Sequence, residues 1–488
     1  MTRRRSTILA FALLVLVPML LFSACTDDFS SINSDPTEAT EVSEEPLFTR
    51  SLRKTMLDDF TWQVGEHLHV NMFAQHFANV IGGFNTDRYE VNDGWLTRYW
   101  DIAYTDFGKD IQQVIDQSRG NPQKVNKLAQ ARIWRVFIFQ RLTDFFGDIP
   151  YSEALGGDAT PAYDQQQDIY RDLFSRLDSS VTQISSSPSN QDRFGKADVL
   201  YGDNTILWQK FANSLRLRLA MRVSNIDAEL AEQQAQAAIN GDGGLISANA
   251  ESATLDPSGS SRTESNPLAT VMSFQDSRVS KTLEVKLNSL DDPRLKVYID
   301  TALAGDIQAR QGYPNGRTST QISNSNPDAA SLAGPIFQDK SNPISVMSHA
   351  EVRFLQAEAV VRGFINGDAG ALYQQGIEAV MQRYGIADDS VTAYLSQGEV
   401  AWNPADSQDE KIRKIILQKW LALFGRSGFE AWAEFRRTGY PELQDIRAPG
   451  GGTTNGIVPR RVPYPNSEDQ VNTANHERAC DEPTFGRR

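Results

Sequence analysis

The residue with the most distinctive chemical context is Cys25. Two small residues directly precede it, an apolar run of 15 residues spans positions 8–22, and three arginines lie close to the N-terminus. A short apolar run after a basic cluster is typical of a secretory signal peptide, because a membrane-spanning helix needs about 20 apolar residues. Small residues before a cysteine are what a lipoprotein signal peptidase requires. The pattern therefore predicts a signal peptide over residues 1–24 and lipidation of Cys25, which would anchor the chain to a membrane.

His67, His69 and His76 have the residue type and spacing best suited to bind a metal ion. His69 and His76 could share one face of a helix, but His67 and His69 point to different faces, and no cysteine or second histidine motif follows. We interpret the three side chains as solvated or hydrogen-bonded and predict neither a metal nor another cofactor.

Catalytic groups are harder to find. Ser348 and His349 are sequence neighbours, which does not make a triad, and the G-x-S-x-G turn of a hydrolase is absent from the sequence. A glycosidase needs two carboxylates about 5 to 10 Å apart across a cleft. Asp144, Asp148 and Glu153 are close in sequence, but capping and turn roles explain them. The sequence thus predicts a protein that is not an enzyme, with a surface glycoside hydrolase as the alternative from another class.

Two segments, 79–95 and 311–317, place aromatic rings among polar residues where no helical period requires them. Sugar rings present apolar C–H faces that stack on aromatic rings, and their hydroxyls pair with planar amide and guanidinium groups. Loops on a rigid scaffold are also where recognition residues concentrate. The predicted ligand contacts are Asn85, Arg88, Tyr89, Trp95, Tyr313 and Arg317.

The composition limits the classes of partner that the protein can bind. The formal net charge is −14 over 488 residues, so nucleic acid is excluded as a plausible partner. After residue 22 no apolar run is long enough to span a bilayer. With Cys25 lipidated, the sequence has no second cysteine with which Cys480 could form an intramolecular disulfide, so a hydrophobic core must stabilise the fold.

The elements that position these residues are predicted to be helices. Residues 25–46 are polar and read as a lipid-anchored flexible tether, whereas 47–488 form the folded domain. Apolar residues then recur with helical spacing in paired segments separated by Gly, Asn and Pro. This pattern predicts a mainly α fold of tetratricopeptide-like helical hairpins in an α-α superhelix, with long loops and a few short strands. The predicted helical faces run through residues 100–114, 128–142, 169–181, 208–219, 351–362, 369–384, 411–424 and 429–437.

Several ordered motifs go beyond composition. They are RLTDFFGDIPYSEA at 141–154, PAYDQQQDIY at 161–170, WQKFANSLRLRLAMR at 208–222, EVRFLQAEA at 351–359, and QKW, FEAW and RRTGYP between 418 and 441. Together with CTDDF at 25–29, their order resembles the SusD/RagB-like outer-membrane lipoproteins, in the branch with GDIPY and QKW signatures. The resemblance covers nearly all of the chain after the signal peptide.

The resemblance implies a cell-surface lipoprotein that binds nutrient oligosaccharides and delivers them to a TonB-dependent, SusC-like transporter in the outer membrane. It supplies no ligand, because some members of the family bind peptides, and a peptide-binding member of the same transport system remains an alternative. The shared motifs themselves read as structural. Gly147 and Pro150 end a helix, Trp208 is expected in the core, and Arg216, Arg218 and Arg222 are expected to pair with carboxylates of neighbouring helices.

Overall fold

The computed structural model of the chain describes residues 42–304, 309–446 and 454–481. The predicted signal peptide, Cys25 and residues 25–41 lie outside these ranges, so the anchor remains a prediction. A helix already begins at Glu44, so the last residues of the predicted tether belong to the folded domain. In the part of the chain that the structure describes, no helix is both long and apolar enough to cross a membrane.

Helices dominate the fold, as the sequence predicts. Numbered in chain order, they are α1 Glu44–Leu57, α2 Asp59–Trp62, α3 Asp93–Ile102, α4 Gly108–Ser118, α5 Val125–Phe146, α6 Gln166–Ser186, α7 Thr205–Val223, α8 Ala228–Asn240, α9 Pro267–Met272, α10 Lys281–Ser289, α11 Leu295–Tyr298, α12 Ser319–Ser323, α13 Pro335–Gln338, α14 His349–Val361, α15 Ala369–Arg383, α16 Asp388–Leu395, α17 Gln408–Leu423, α18 Gly428–Thr438, α19 Glu468–Val471 and α20 Thr473–Asp481. Two π-helical segments, Gln63–Asn71 and Ala103–Phe107, connect α2 to the following loop and α3 to α4.

Consecutive helices pack against each other as hairpins. The most extensive of these pairs are α4 with α5, α5 with α6, α7 with α8, and α14 with α15, and α14 also packs on α17, which is not its neighbour in sequence. Helix α5 ends where the sequence predicts, because Gly147 takes a φ of 90° and its amide donates to the carbonyl of Thr143 at 2.8 Å. The predicted mainly α fold of helical hairpins is confirmed.

In the residues that the structure describes, the short strands occur only in pairs. Four two-stranded antiparallel ladders join β1 Phe77–Asn79 to β5 Ser277–Val279, β2 Ile149–Pro150 to β3 Tyr163–Asp164, β4 Ala253–Leu255 to β8 Ile344–Met347, and β6 Ile299–Ala302 to β7 Ser331–Ala333. The β1–β5 ladder matters most for the loops, since β1 leads directly into one predicted recognition segment.

A buried set of ion pairs ties α5, α7, α14, α17 and α18 together. Arg218 donates to both carboxylate oxygens of Glu351, at 2.7 and 2.9 Å, and the predicted pairing of this helix with neighbouring carboxylates is confirmed. Arg222 lies 2.6 Å from Glu430. Although burial by itself opposes ionisation, Arg222 and nearby cations hold the pKa of Glu430 below its ordinary value.

The same set continues along α18. Arg437 donates hydrogen bonds to both carboxylate oxygens of Glu358, at 2.5 and 2.7 Å, and also contacts Glu434. Lys419 lies 3.1 Å from Glu430 and 3.4 Å from Glu434. Because each charge faces an opposite charge, these helices are held in one register despite the cost of burying ions.

Two of the long loops meet at Asp87. One oxygen of its buried carboxylate accepts from the amide of Asn79 at 3.2 Å and from the amide of Gly316 at 3.3 Å. The loop after β1 is thereby joined to the segment 311–317. Burial is the main cause that raises the pKa of Asp87 to about 7.

Trp208 tests the placement of the core. Its side chain is fully buried beside Phe48 and Phe211, and its indole nitrogen donates to Asp198 at 2.7 Å. Trp208→Ala should therefore lower the free energy of unfolding by about 3 to 5 kcal/mol, because it leaves a large cavity. Ile206→Ala, at an exposed position of the same helix, should change it by less than about 0.5 kcal/mol. Thermal and urea unfolding would measure both, and equal stability of the two variants would contradict the assignment.

Asp87 should make stability depend on pH. Its raised folded-state pKa means that the folded chain keeps a proton that the unfolded chain loses, so this contribution is complete below about pH 4 and declines as the pH rises to about 7. Asp87→Asn imitates the protonated carboxyl and should remove the decline. Urea unfolding of both proteins at several pH values would measure this. Between pH 4 and pH 7 the free energy of unfolding of the variant should rise relative to that of the wild type by on the order of 2 to 4 kcal/mol. A constant difference across that range would show that Asp87 is ionised throughout.

Candidate functional site

The two predicted recognition segments lie side by side. Strand β5 pairs with β1, and a parallel bridge then joins Ser280 to Tyr313. The amide of Tyr313 donates to the carbonyl of Val279 at 2.8 Å, and the Asn315 side chain donates to the carbonyl of Phe77 at 2.7 Å. Residues 79–95 and 311–317 therefore form one surface although more than 200 positions separate them in the chain.

Two of the predicted ligand contacts are interior residues. Tyr89 is 1% exposed, and its hydroxyl accepts from Gln75 at 2.9 Å. Tyr313 is 4% exposed, packs with Ala78 and Val80, and shares a 2.8 Å hydrogen bond with Ser325. The expectation that these two rings are exposed for stacking is wrong. Each ring packs on residues outside its own turn, Tyr89 on Phe73 and Tyr313 on Ala78 and Val80, which a local sequence pattern cannot show.

Trp95 lies at the surface of this region. It is partly exposed in the first turn of α3, where the side chain of Asn92 caps the helix by accepting from the Trp95 amide at 3.1 Å. Phe84, also partly exposed, meets the Trp95 ring edge to face at 5.4 Å between centroids. On its inner side the indole contacts His69. The pair thus forms a supported aromatic platform. The sequence had placed Phe84 in the right loop but not among the predicted contacts.

Polar side chains surround the platform. Arg88 lies 3.2 Å from Glu90, and both are partly exposed. Arg317 is partly exposed and lies over the ring of Tyr313, with its guanidinium carbon 5.3 Å from the ring centroid. Asn85 turns the chain, since its carbonyl accepts from the amides of Arg88 and Glu90. Four of the six predicted contacts, Asn85, Arg88, Trp95 and Arg317, therefore keep some access to solvent.

The histidines serve the interior. His67, His69 and His76 are fully buried, and each makes hydrogen bonds within the protein: His67 with Ser277 at 2.9 Å, His69 with the carbonyl of Val64, and His76 with the carbonyl of Trp420 at 3.1 Å. Burial lowers the pKa of His67 to about 3 and that of His69 to about 4, so both rings are neutral. Among the described residues, no group of three or more His, Cys, Asp or Glu side chains could hold a metal ion.

The residues weighed for catalysis also have structural partners. Ser348 caps α14 by accepting from the Glu351 amide at 3.3 Å. Asp148 accepts from the Gln166 amide at 2.8 Å, and Glu153 from the Ala162 amide at 3.0 Å. These are the capping and turn roles that the sequence predicts. The surface around Trp95 can bind by stacking and hydrogen bonding.

Comparison with known families gives a match over most of the chain. A SusD-like family model, described as "Starch-binding associating with outer membrane", matches residues 36–465. No curated protein gave a match.

Solved structures are similar over nearly the whole length. A chitin-binding SusD homologue from Flavobacterium johnsoniae is 28% identical with a TM-score of 0.81, covering 91% of this chain and 97% of its own. A second protein described as chitin-binding is 29% identical with a TM-score of 0.79, covering 90% and 96%. A SusD homologue from Bacteroides uniformis is 28% identical with a TM-score of 0.80, covering 91% and 98%. Since the family match spans most of the sequence and the helical fold agrees with these structures, the protein belongs to the SusD-like family of outer-membrane-associated proteins.

Proposed function

We propose that the protein is a cell-surface lipoprotein that binds nutrient oligosaccharides at the surface around Phe84 and Trp95. The observation that carries the proposal is the edge-to-face pair of partly exposed aromatic rings, set between amide and guanidinium side chains on loops that a rigid ladder supports. An indole presents a broad apolar face to the C–H groups of a sugar ring. Asn85, Arg88 and Arg317 lie on the same surface and can hydrogen-bond to hydroxyl groups.

Burial of Tyr89 and Tyr313 strengthens this assignment. The two rings fill the space beneath the loops, so the platform rests on packed side chains and loses little conformational entropy when a ligand binds. Asp87 joins the two loops from below, which keeps Arg317 at a constant distance from the platform. A preorganised surface of this kind suits a chain of sugar rings, which offers repeated apolar faces.

The class of ligand to test first is chitin oligosaccharide. Two of the similar solved structures are described as chitin-binding, and the family model is described as starch-binding. At under 30% identity the loops can differ, so starch oligosaccharides are the second candidate. Peptides are the alternative that the family resemblance leaves open.

The proposal also includes a membrane anchor at Cys25 and a partner protein in the outer membrane. Lipidation of Cys25 would tether the domain to the outer membrane, where it would deliver the bound oligosaccharide to a TonB-dependent, SusC-like transporter. The description of the matching family model, starch-binding in association with the outer membrane, supports this part of the proposal.

Calorimetric titration of Phe84→Ala and Trp95→Ala would test the binding surface. Loss of one aromatic platform should weaken oligosaccharide binding by about 1 to 3 kcal/mol while the fold is retained, because both rings lie at the surface. Trp402→Ala is a matched control, since this partly buried indole packs on Tyr373, outside both loops. Equal affinities in all three variants would place the ligand elsewhere. Release of reducing ends from the oligosaccharide would instead favour the glycoside hydrolase.

Cell fractionation of Cys25→Ala would test the anchor and the partner together. The variant should remain unprocessed or be released from the outer membrane, because it has no thiol to acylate. Affinity purification of the wild type from outer membranes in mild detergent should recover a TonB-dependent barrel. Unchanged membrane retention and mass of the variant would exclude the anchor, and recovery of the wild type alone at low salt would count against the transporter.

A further inference from the structure

A second binding region lies among the helical hairpins, away from the loop surface. A half-open cleft of about 530 Å³ is bounded by α4, α5, α6 and the turn that follows β2. None of the residues around Trp95 or Tyr313 lines it. Its volume is in the range of small-molecule sites.

Five carboxylates and four arginines line the cleft, and the two arginines on its α5 side are the ones that form no ion pair within the described residues. Arg132 and Arg135, one helical turn apart, both line it. Arg132 donates to the side chain of Gln183 at 3.1 Å, and Arg135 donates to the carbonyl of Tyr151 at 3.1 Å. Within the described ranges neither arginine has a carboxylate within ion-pair distance, and the Nε atom of each is buried without a hydrogen-bond partner.

The acidic groups of the cleft are already engaged. Asp172 accepts from the hydroxyl of Tyr151 at 2.6 Å and from Arg176 at 3.1 Å. Asp164 accepts from the amide of Ser152 at 2.8 Å and from its hydroxyl at 2.7 Å. The other three lining carboxylates also have donors: Asp116 pairs with Arg119 at 3.3 Å, Asp168 with Arg171 at 3.1 Å, and Glu153 accepts from the amide of Ala162 at 3.0 Å. Asp172 is the carboxylate whose charge acts on Arg132, without forming an ion pair with it.

The side chains of Arg132 and Arg135 differ in how firmly their orientation is held. Arg135 is held between the rings of Phe139, at 4.4 Å, and Tyr151, at 4.6 Å, so its orientation is set before any ligand arrives. Arg132 lacks such stacking. Burial, together with Arg176 and Arg119, lowers the pKa of Arg132 below its ordinary value, because like charges crowd it. An anion in the cleft would relieve that repulsion.

We propose that this cleft binds the carboxylate of a small acidic molecule, with Arg132 as the main cation and Arg135 as a preoriented second donor. Planar guanidinium groups match carboxylates geometrically and bind them through paired hydrogen bonds. The volume admits an acidic sugar such as a uronic acid. The inference does not rest on the proposed function, because it uses none of the loop residues.

Titration calorimetry at low salt would test the site with three probes: D-glucuronate, D-glucose, which has the same ring without the charge, and acetate, which has the charge without the ring. Glucuronate should bind and glucose should not, and binding should weaken as salt is added, because a charge pair carries it. Comparable binding of acetate would identify small carboxylates in general as the ligand, and much weaker binding of acetate would identify sugar acids. Equal binding of glucose and glucuronate, or binding that salt does not change, would overturn the proposal.

Matched variants separate the charge from the fold. Arg132→Gln should weaken glucuronate binding about tenfold or more, and Arg132→Lys, which keeps the charge, should weaken it less. Arg193→Gln removes an arginine that is exposed and lies outside the cleft, so it should bind as the wild type does. Retained affinity in Arg132→Gln would exclude the site. Oligosaccharide binding at the loop surface should be the same in all of these proteins, which distinguishes failure of this proposal from failure of the proposed function.

Discussion

The buried ion pairs between α7, α14, α17 and α18 are the interaction on which the rest of the structure depends. Arg218 with Glu351 and Arg437 with Glu358 each form two short hydrogen bonds at side chains that are nearly inaccessible to water. A buried pair adds little net stability compared with apolar packing, but loss of one partner leaves a buried charge and costs about 3 to 5 kcal/mol. Such pairs therefore select one arrangement of the helices. A shift of one helix by a single turn would leave several charges unpaired at once.

This constraint explains how long loops can form a defined surface. Strand β1 follows a buried π-helical segment that packs on α18, so the ion-paired helices set the position of β1. Strand β5 pairs with β1, and the bridge from Ser280 to Tyr313 then fixes the second loop beside the first. Asp87 closes the connection with hydrogen bonds to both segments. The Phe84 and Trp95 platform is therefore held in place, although Phe84 lies on a loop and Trp95 in the first turn of α3.

The two candidate binding regions use different chemistry. The loop surface offers aromatic rings with neutral and charged hydrogen-bond donors around them, which suits an uncharged sugar chain. The cleft between α4, α5 and α6 offers cations in a partly enclosed space, which suits a compact anion. Arg135 shows how the scaffold serves the second region, because Phe139 on the same helix supports its guanidinium. Helix α5 of the cleft is joined to the same buried charges through Asp144, which lies 3.6 Å from Arg222.

The sequence by itself determined the helical class, the positions of most of the longer helices and several residue roles. Helical spacing around Trp208 and the glycine after Phe146 predicted a core residue and a helix end, because these are local consequences of side-chain period and backbone freedom. The sequence also predicted that the α7 arginines pair with carboxylates, although it did not identify which carboxylates. Only the tertiary structure decided that Tyr89 and Tyr313 are buried while Trp95 and Phe84 stay at the surface. Exposure in a loop depends on what packs against it from other parts of the chain, and no local pattern contains that information. Tyr89 packs on Phe73, and Tyr313 packs on Ala78 and Val80, more than 230 residues away in the chain. For the same physical reason the uncompensated charge of Arg132 became visible only once α4, α5 and α6 were seen together.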